Sequence, residues 1–430
     1  MFNKQALIDA FVVRPPAPPA PTPGLYNFQR EEDGLVGRYH LRVERDGSGL
    51  LLANAKASCL LSVTGVLAAK LLLEGQPQKK VVRVLERNYR GADSAKLKQD
   101  VEEVAQTLWQ MIRPGRRFPT LDLDDHRAPD AWRQLSAPMC ADVEVGSAET
   151  GRAIVDQLCA LAVPQVVFVV PHSSDPKALV ELVEHAEDVG LISGARARAS
   201  DLQRDGLIDD LAKAGLDHLD IFYASSESAY HDVMLGSGDW NKANKCFEAV
   251  KAKEIYAVAV VPLVERHLED LLAIVEKLRA NAVEHAVVYA LVSTTGGSGA
   301  LNPDGLPQMV SVVEEVAEQT GSNSMLWAPP VELSPGQHLP HAMQAGPRAV
   351  GQGCVRVTAN GELIPAAGPT RSVGNLLSGD WAALWGNPVF KPWREGTALA
   401  GRCDICTGMA TCVAGCPKDP ATWARSGGDA

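Results

Sequence analysis

Four cysteines near the carboxyl end of the chain are the residues best suited to chemistry. They are Cys403, Cys406, Cys412 and Cys416, spaced C-x2-C-x5-C-x3-C. Thiolates at these separations can converge on one metal centre, because short intervening loops let each sulfur turn inward. Free cysteines that only pack in a core have no reason to cluster in a glycine-containing loop. The pattern therefore predicts that the four thiolates bind a metal.

The spacing leaves two metals open. Tetrahedral zinc takes four thiolates, usually as two short-spaced pairs. A 4Fe–4S cluster also takes four, often with a proline after the last cysteine, and Pro417 follows Cys416. We expect one 4Fe–4S cluster, with zinc as the alternative. The other five cysteines are scattered, which is typical of a chain in a reducing compartment rather than a disulfide scaffold.

Composition bounds the classes of protein to which the chain can belong. It has 430 residues, enough for several domains, and 46% of them are hydrophobic, as in ordinary globular proteins. The net charge of −11 disfavours a general nucleic-acid binder, because phosphate contacts need clustered Lys and Arg. No apolar run reaches the ~18–20 residues of a membrane span, and Lys4 and Asp9 interrupt any signal peptide. We expect a cytoplasmic protein without membrane contact.

The amino-terminal part reads as a small α+β domain after a tail. Prolines crowd residues 14–24 and predict an extended tail over 1–34. Alternating apolar residues from Tyr39 predict a hairpin, and three amphipathic helices follow up to residue 113. A hairpin with three helices suits a winged-helix-like module. Proline-rich residues 114–137 then predict a linker.

The rest of the chain predicts a parallel sheet and a separate cysteine-rich domain. Across residues 138–330, near-continuous Val and Ile runs alternate with amphipathic helices, as in a partial (β/α) barrel with its active face at the carboxyl ends of the strands. Residues 331–430 lose this rhythm. They carry a hairpin with an Asn360-Gly361 turn, a Trp-rich stretch and the four clustered cysteines.

These segments together resemble one enzyme superfamily. The cysteine spacing, the preceding GNLLSGDWAALWGNPVF and the hairpin GCVRVTANGELIP are similar to the SPASM domain of radical S-adenosylmethionine (SAM) enzymes. Residues 138–330 resemble the partial barrel of that superfamily. Residues 35–113 resemble the RiPP recognition element, the peptide-binding domain that also forms the PqqD-like chaperone of pyrroloquinoline quinone biosynthesis. The resemblance implies a peptide or protein substrate and iron–sulfur cofactors.

The departures from that superfamily point away from radical catalysis. Its C-x3-C-x2-C motif after the first barrel strand, which holds the SAM-cleaving cluster, occurs nowhere in this chain. Pro171-His172-Ser173-Ser174 stands where the superfamily has GGEP, which contacts SAM. The SPASM pattern is also reduced, since Ala366 occupies one cysteine position after Cys354. SAM binding is therefore doubtful, and the resemblance implies a degenerate member.

We therefore expect an accessory protein that binds a peptide or protein and forms a hetero-complex with an active radical SAM enzyme. The alternatives are an iron–sulfur enzyme using the barrel mouth for non-radical chemistry, and an electron-transfer subunit. His172 and Ser173, at a strand end, are candidate ligand contacts of that mouth. On the third helix, the predicted peptide-binding stripe consists of Leu97, Val101, Val104 and Leu108.

Overall fold

The structure is a computed structural model that describes residues 20–54, 57–89, 91–113, 135–172, 174–283, 285–295, 299–320, 325–348, 354–366, 368, 370–390 and 423–425. The chain divides into two compact units, and the boundary between them falls after Arg113. Each unit is described by itself.

The amino-terminal unit begins with a four-stranded sheet in the order β1-β2-β3-β4. Its strands are β1 (Gly24–Glu32), β2 (Leu35–Val43), β3 (Gly49–Ala53) and β4 (Ala57–Leu61). The first pairs antiparallel with the second along its whole length, from Gly24 opposite Val43 to Glu32 opposite Leu35. The prediction of a tail over residues 1–34 is therefore wrong for 24–32. Those residues are mostly polar and half-exposed, so pairing with a neighbour, rather than an apolar pattern, makes them a strand.

Three helices follow the sheet: α1 (Val63–Leu73), α2 (Gln78–Asn88) and α3 (Ser94–Met111). Helix α1 begins after its N-cap Ser62, whose hydroxyl accepts a hydrogen bond from the amide of Gly65. Helix α3 begins after Asp93, whose carboxylate accepts from the amide of Ala95. Apolar side chains of β2, β3 and α1 form one core with the end of α3, and all three helices share a second.

The carboxyl-terminal unit is built on a parallel sheet whose helices connect successive strands. Strands β5 to β10 lie side by side in chain order, as the alternation of apolar runs and amphipathic helices predicts. The elements are β5 (Cys140–Glu144), α4 (Ala148–Ala160), β6 (Gln165–Val169), α5 (Pro176–Asp188), β7 (Ile192–Ala197), α6 (Leu207–Ala214), β8 (His218–Phe222), α7 (Ser228–Leu235), α8 (Asp239–Ala252), β9 (Tyr256–Leu263), α9 (His267–Ala280), β10 (His285–Val292), α10 (Leu306–Thr320), β11 (Met325–Trp327) and β12 (Val331–Glu332).

The remaining elements are strands that extend this sheet at both edges and two short helices. They are α11 (Leu339–Ala345), β13 (Cys354–Val357), β14 (Leu363–Pro365), α12 (Trp381–Trp385) and β15 (Ala424–Arg425). The hairpin β13–β14 joins the barrel by parallel pairing of β13 with β5, and β15 pairs with β12. The amide of Gly368 donates to the carbonyl of Trp423 at 2.9 Å, so residues from the two edges meet. The sequence did not predict that the hairpin continues the barrel sheet.

Within the part of the chain that the structure describes, no helix is both long and apolar enough to cross a membrane.

Candidate functional site

A buried network of charged side chains lies on one face of the parallel sheet, across β5, β7 and β8. Arg196 of β7 bridges Asp142 of β5 and Asp220 of β8, and all three side chains are almost fully buried. Both Nε and Nη2 of Arg196 donate to Oδ2 of Asp220 at 3.2 Å. Burial would lower the pKa of Arg196, but the two carboxylates raise it above its usual value. Arg196 therefore stays charged as a fixed cation inside the sheet.

The two carboxylates of this network have different environments. Burial raises the pKa of Asp142 more than Arg196 lowers it. Burial also opposes ionisation of Asp220, but His218 and Arg196 lower the pKa of that carboxyl below its usual value. Oδ1 of Asp142 is buried and accepts no hydrogen bond from any described residue. Asp220 is thus the better-stabilised anion of the pair.

His218 extends the network along β8. The Gln165 amide lies 3.2 Å from Nε2 of His218, whose Nδ1 lies 2.9 Å from Oδ1 of Asp220. With the amide donating to Nε2, Nδ1 carries the proton and donates to Asp220. A Cβ on Gly194, the residue paired with His218 in β7, would lie 2.1 Å from the imidazole. Glycine at 194 therefore provides the space that the ring occupies.

The connection after β5 is where a SAM-cleaving cluster would need its thiolates. It consists of Val145, Gly146 and Ser147, and the Ser147 hydroxyl caps α4 by accepting from the amide of Thr150. A Cβ on Gly146 would lie 2.7 Å from the Cβ of Ala359, so the turn packs closely against the residues after β13. This connection offers no thiolate, and its residues do not fit the cluster of the radical SAM superfamily.

Two buried thiols do meet on the same sheet, at the opposite ends of β5 and β13 from that turn. Cys140 and Cys354 are paired in register and form a small apolar cluster with Val167 and Ala366. The hydrogen bond with Cys354 and burial together raise the pKa of the Cys140 thiol. Ala366, at a position where the resemblance implies a cysteine, thus lies beside Cys354. Two buried thiols next to an alanine are too few donors for a cluster.

Of the two predicted ligand contacts at the barrel mouth, the structure describes only His172. His172 follows β6, is largely exposed, and has Nδ1 at 2.9 Å from Oδ1 of Asp201 and 2.6 Å from Nη2 of Arg198. Arg198 also binds Asp201 through Nε at 2.7 Å. His172 is therefore an exposed side chain that contacts a buried Arg198–Asp201 ion pair. Ser173 lies outside the described residues.

The predicted peptide-binding stripe on α3 divides between core and surface. Val101 and Leu108 are buried in the two cores of the amino-terminal unit, so their assignment to a peptide groove is wrong. Leu97 and Val104 line a groove of about 330 Å³ between α3 and the edge strand β4. The predicted stripe included two core residues, because the apolar face of α3 contributes side chains to both the core and the groove.

The groove has an apolar floor and an acidic rim. Leu61, Ala68 and Leu85 contribute to the floor, while Asp100 and Glu103 of α3 contribute carboxylates. Among the described residues, no cation lies within ion-pair distance of either carboxylate. Leu60 of β4 is 49% exposed beside them. The groove therefore presents an unpaired strand edge, apolar surface and negative charge together.

The four clustered cysteines Cys403, Cys406, Cys412 and Cys416 lie outside the described residues. Their chain segment is anchored on both sides, by buried Phe390 and by buried Trp423. The donor set of four thiolates within one short segment fits a 4Fe–4S cluster or zinc by its chemistry. In the described ranges, no group of three or more His, Cys, Asp or Glu side chains is arranged to hold a metal.

Sequence reasoning missed the Asp142–Arg196–Asp220 network. The signal was present, because each residue interrupts an otherwise apolar strand, as in GARARA and HLDIF. A charged residue inside a buried parallel strand must find a partner on the neighbouring strands. Which partner it finds depends on strand register, which single runs do not specify.

Comparison with known proteins finds relatives that match part of the chain and solved structures with a similar fold. No family model matches the chain. Over 118 residues it is 35% identical to the PqqA peptide cyclase of Rhodopseudomonas palustris and 33% identical to that of Bradyrhizobium diazoefficiens. These stretches span 26% of this chain and only 30% of each relative's length.

Structural similarity extends much further along the chain. SuiB of Streptococcus suis, in a crystal structure with S-adenosylmethionine, matches 93% of this chain and 99% of its own with a TM-score of 0.54 at 13% identity. SuiB bound to its precursor peptide SuiA matches 89% of this chain with a TM-score of 0.51. At this identity the similarity establishes the fold: a half-barrel parallel sheet with helices, as the sequence predicts.

Proposed function

We propose that this chain is a degenerate member of the radical SAM/SPASM superfamily that binds a peptide and acts as an accessory subunit of an active radical SAM enzyme. The observation that carries the proposal is the groove between β4 and α3, which combines a strand edge with an apolar floor. The relatives support it: one group is named PqqA peptide cyclase, and SuiB has been crystallised with its precursor peptide.

The groove suits an extended peptide that adds as a strand to β4. Strand β4 ends the order β1-β2-β3-β4, so its outer edge offers backbone donors and acceptors. Main-chain hydrogen bonds would supply affinity, and the pocket beside Leu97 and Val104 would select apolar side chains. Asp100 and Glu103 favour a peptide with Lys or Arg near those side chains.

The accessory role rests on the turn after β5. Val145-Gly146-Ser147 supplies no thiolate, and the buried thiols of Cys140 and Cys354 lie at the opposite ends of their strands from this turn. The SAM-cleaving cluster would have to come from another chain. In this proposal the present chain holds the peptide, its Cys403–Cys416 segment holds one 4Fe–4S cluster, and a partner enzyme performs the chemistry.

Peptide binding is tested with the full chain and synthetic peptides tiling the short open reading frames beside its gene. We expect one basic peptide to bind with a Kd on the order of 1 μM, about −8 kcal/mol, in fluorescence anisotropy. Val104→Asp, on the groove wall, should weaken binding about tenfold, because it puts a carboxylate against the apolar side chains of the peptide. The exposed Val36, outside the groove, supplies the control Val36→Asp. Failure of the folded protein to bind any of these peptides would contradict the proposal.

The accessory role predicts that the chain alone does not cleave SAM. Reduced protein, reconstituted with iron and sulfide, should form no 5′-deoxyadenosine from SAM above a control without protein. Mixed with the radical SAM enzyme encoded nearby and the bound peptide, it should raise that enzyme's peptide turnover. Multiple turnovers by the chain alone would show a cluster site that the residues after β5 do not supply.

A further inference from the structure

The carboxyl-terminal unit contains a cavity of about 660 Å³. The proposed peptide groove belongs to the amino-terminal unit and does not use it. The cavity lies where β5, the hairpin β13–β14 and the helix α11 approach one another, and residues from both edges of the parallel sheet line it. Its volume is typical of a small-molecule site. The polar side chains in its wall include Glu144, Gln337, His341, Arg348, Arg356 and Thr358.

Arg356 is the exceptional residue of this wall. Among the described residues, none accepts a hydrogen bond from its guanidinium or lies within ion-pair distance of it. Burial lowers its pKa, and Asp142 and Glu144 only partly offset that effect. Asp142 is already bound to Arg196, its neighbour in the network. Arg356 is half-buried, so its five donors face the cavity without an acceptor among the described residues, and a ligand in the cavity can supply one.

The second arginine of the wall is held differently. Nη1 of Arg348 donates to the carbonyl of Gly368 at 2.7 Å, and Nη2 donates to Oγ1 of Thr370 at 2.6 Å. These two hydrogen bonds fix the position of the Arg348 guanidinium in the wall of the cavity.

We propose that this cavity binds a molecule through a carboxylate held by the guanidinium of Arg356. A planar guanidinium fork matches a carboxylate with two parallel hydrogen bonds. Glu144 lines the same cavity, and its negative charge disfavours a doubly charged phosphate more than a singly charged carboxylate. The carboxylate belongs either to a small organic acid or to a peptide.

Isothermal titration of the full chain tests the proposal with three probes: acetyl-trialanine with a free carboxylate, its carboxyl-terminal amide, and propionate. We expect at least one carboxylate probe to bind about tenfold more tightly than the amide. Arg356→Gln should abolish that difference. Arg152→Gln, which alters an exposed arginine paired with Glu181, should leave it unchanged. Binding of the tripeptide acid alone identifies a peptide carboxylate, whereas binding of propionate alone identifies a small acid.

A second variant protects the test against misfolding of Arg356→Gln. Glu144→Gln removes the repelling carboxylate and should tighten binding of the carboxylate probe several-fold, with thermal unfolding as a check on the fold. The proposal is overturned if neither carboxylate probe binds more tightly than the amide, or if no probe binds at 10 mM. If Arg356→Gln does not fold, unchanged affinity in Glu144→Gln overturns it as well.

Discussion

At the scale of single residues, two buried histidines hold the backbone of Ala224, which follows β8. The amide of Ala224 donates to Nδ1 of His231 at 3.3 Å, and Nε2 of His267 donates to the Ala224 carbonyl at 2.9 Å. His231 also donates from Nε2 to Asp239 at 3.0 Å. Burial lowers the pKa of His267 to about 4, although its hydrogen bond to Ala224 acts in the opposite direction. His267 is therefore neutral near pH 7.

This neutral histidine makes stability depend on pH in a defined window. In the unfolded chain a histidine has a pKa of about 6.5, so acidification protonates the unfolded chain first. The contribution of His267 is complete above about pH 6.5 and is lost as the pH falls towards 4, by about 2 kcal/mol between pH 7 and pH 5. Urea unfolding at the two pH values measures this loss.

The matched variants separate His267 from the other histidines. His267→Gln should be less stable at pH 7 and should lose about 2 kcal/mol less on acidification than the unmodified chain. His338→Gln, at an exposed position, should keep the full loss. An unchanged pH dependence in His267→Gln would show that another group governs acid stability.

At the scale of elements, α3 shows how closely core and surface share one helix. Val101 is fully buried against α1 and α2, whereas Val104, one turn further on, lines the groove. Val101→Asp would place a carboxylate among apolar side chains without a partner, at a cost of roughly 4 kcal/mol or more. We expect it to unfold the amino-terminal unit, while Val104→Asp leaves the unit folded.

Circular dichroism and thermal unfolding of both variants test this division. The Val101 variant should lose its thermal transition for that unit or show it at a much lower temperature. The Val104 variant, whose side chain is only half-buried, should keep a thermal transition well above that of the Val101 variant while losing peptide affinity. The reverse order of stabilities would mean that the two valines have exchanged roles.

The elements also show which structural features a sequence pattern predicts and which it does not. The sequence marks the helix over Val63–Leu73 and the strand over His285–Val292 closely, through a cap and an apolar run. It marks β1 weakly, since only Tyr26 and Phe28 of GLYNFQREE alternate towards the core and the strand depends on pairing with β2. Likewise, Arg356 reads as a solvent-facing residue of a hairpin, and only the parallel pairing of β13 with β5 places it at a cavity.

At the scale of the whole molecule, the described residues on either side of the clustered cysteines lie far apart in the sheet. Those before the cysteines lie beside the residues that lead into β5, and those after them lie beside β12. Trp385 before them donates to the carbonyl of Leu135 at 2.8 Å, and Ala424 after them donates to the carbonyl of Pro330 at 2.8 Å. The aromatic cluster of Trp381, Trp385 and Phe390 thus packs beside the residues that lead into β5.

Which metal the four clustered cysteines bind is tested with the full-length protein. Protein purified without oxygen should carry about four iron atoms and absorb broadly near 400 nm, as expected for one 4Fe–4S cluster. Cys403→Ser should lower the iron content and that absorbance, because serine is a poor ligand for such a cluster. Cys159→Ser, on helix α4, should leave both unchanged. Stoichiometric zinc without iron after anaerobic reconstitution would show that the alternative metal is correct.

The pairing of β13 with β5 has a consequence for the order in which the chain assembles. Cys354 lies beside Cys140 although roughly 210 residues separate them in sequence. At the usual ~5–20 residues per second, synthesis leaves the outer edge of β5 without its partner for on the order of 10 to 40 s. During that interval the edge offers free backbone groups and the Cys140 thiol to any other strand. The nascent chain is thus most exposed to mispairing before its hairpin emerges, and a product that stops short of residue 354 is expected to aggregate through that edge.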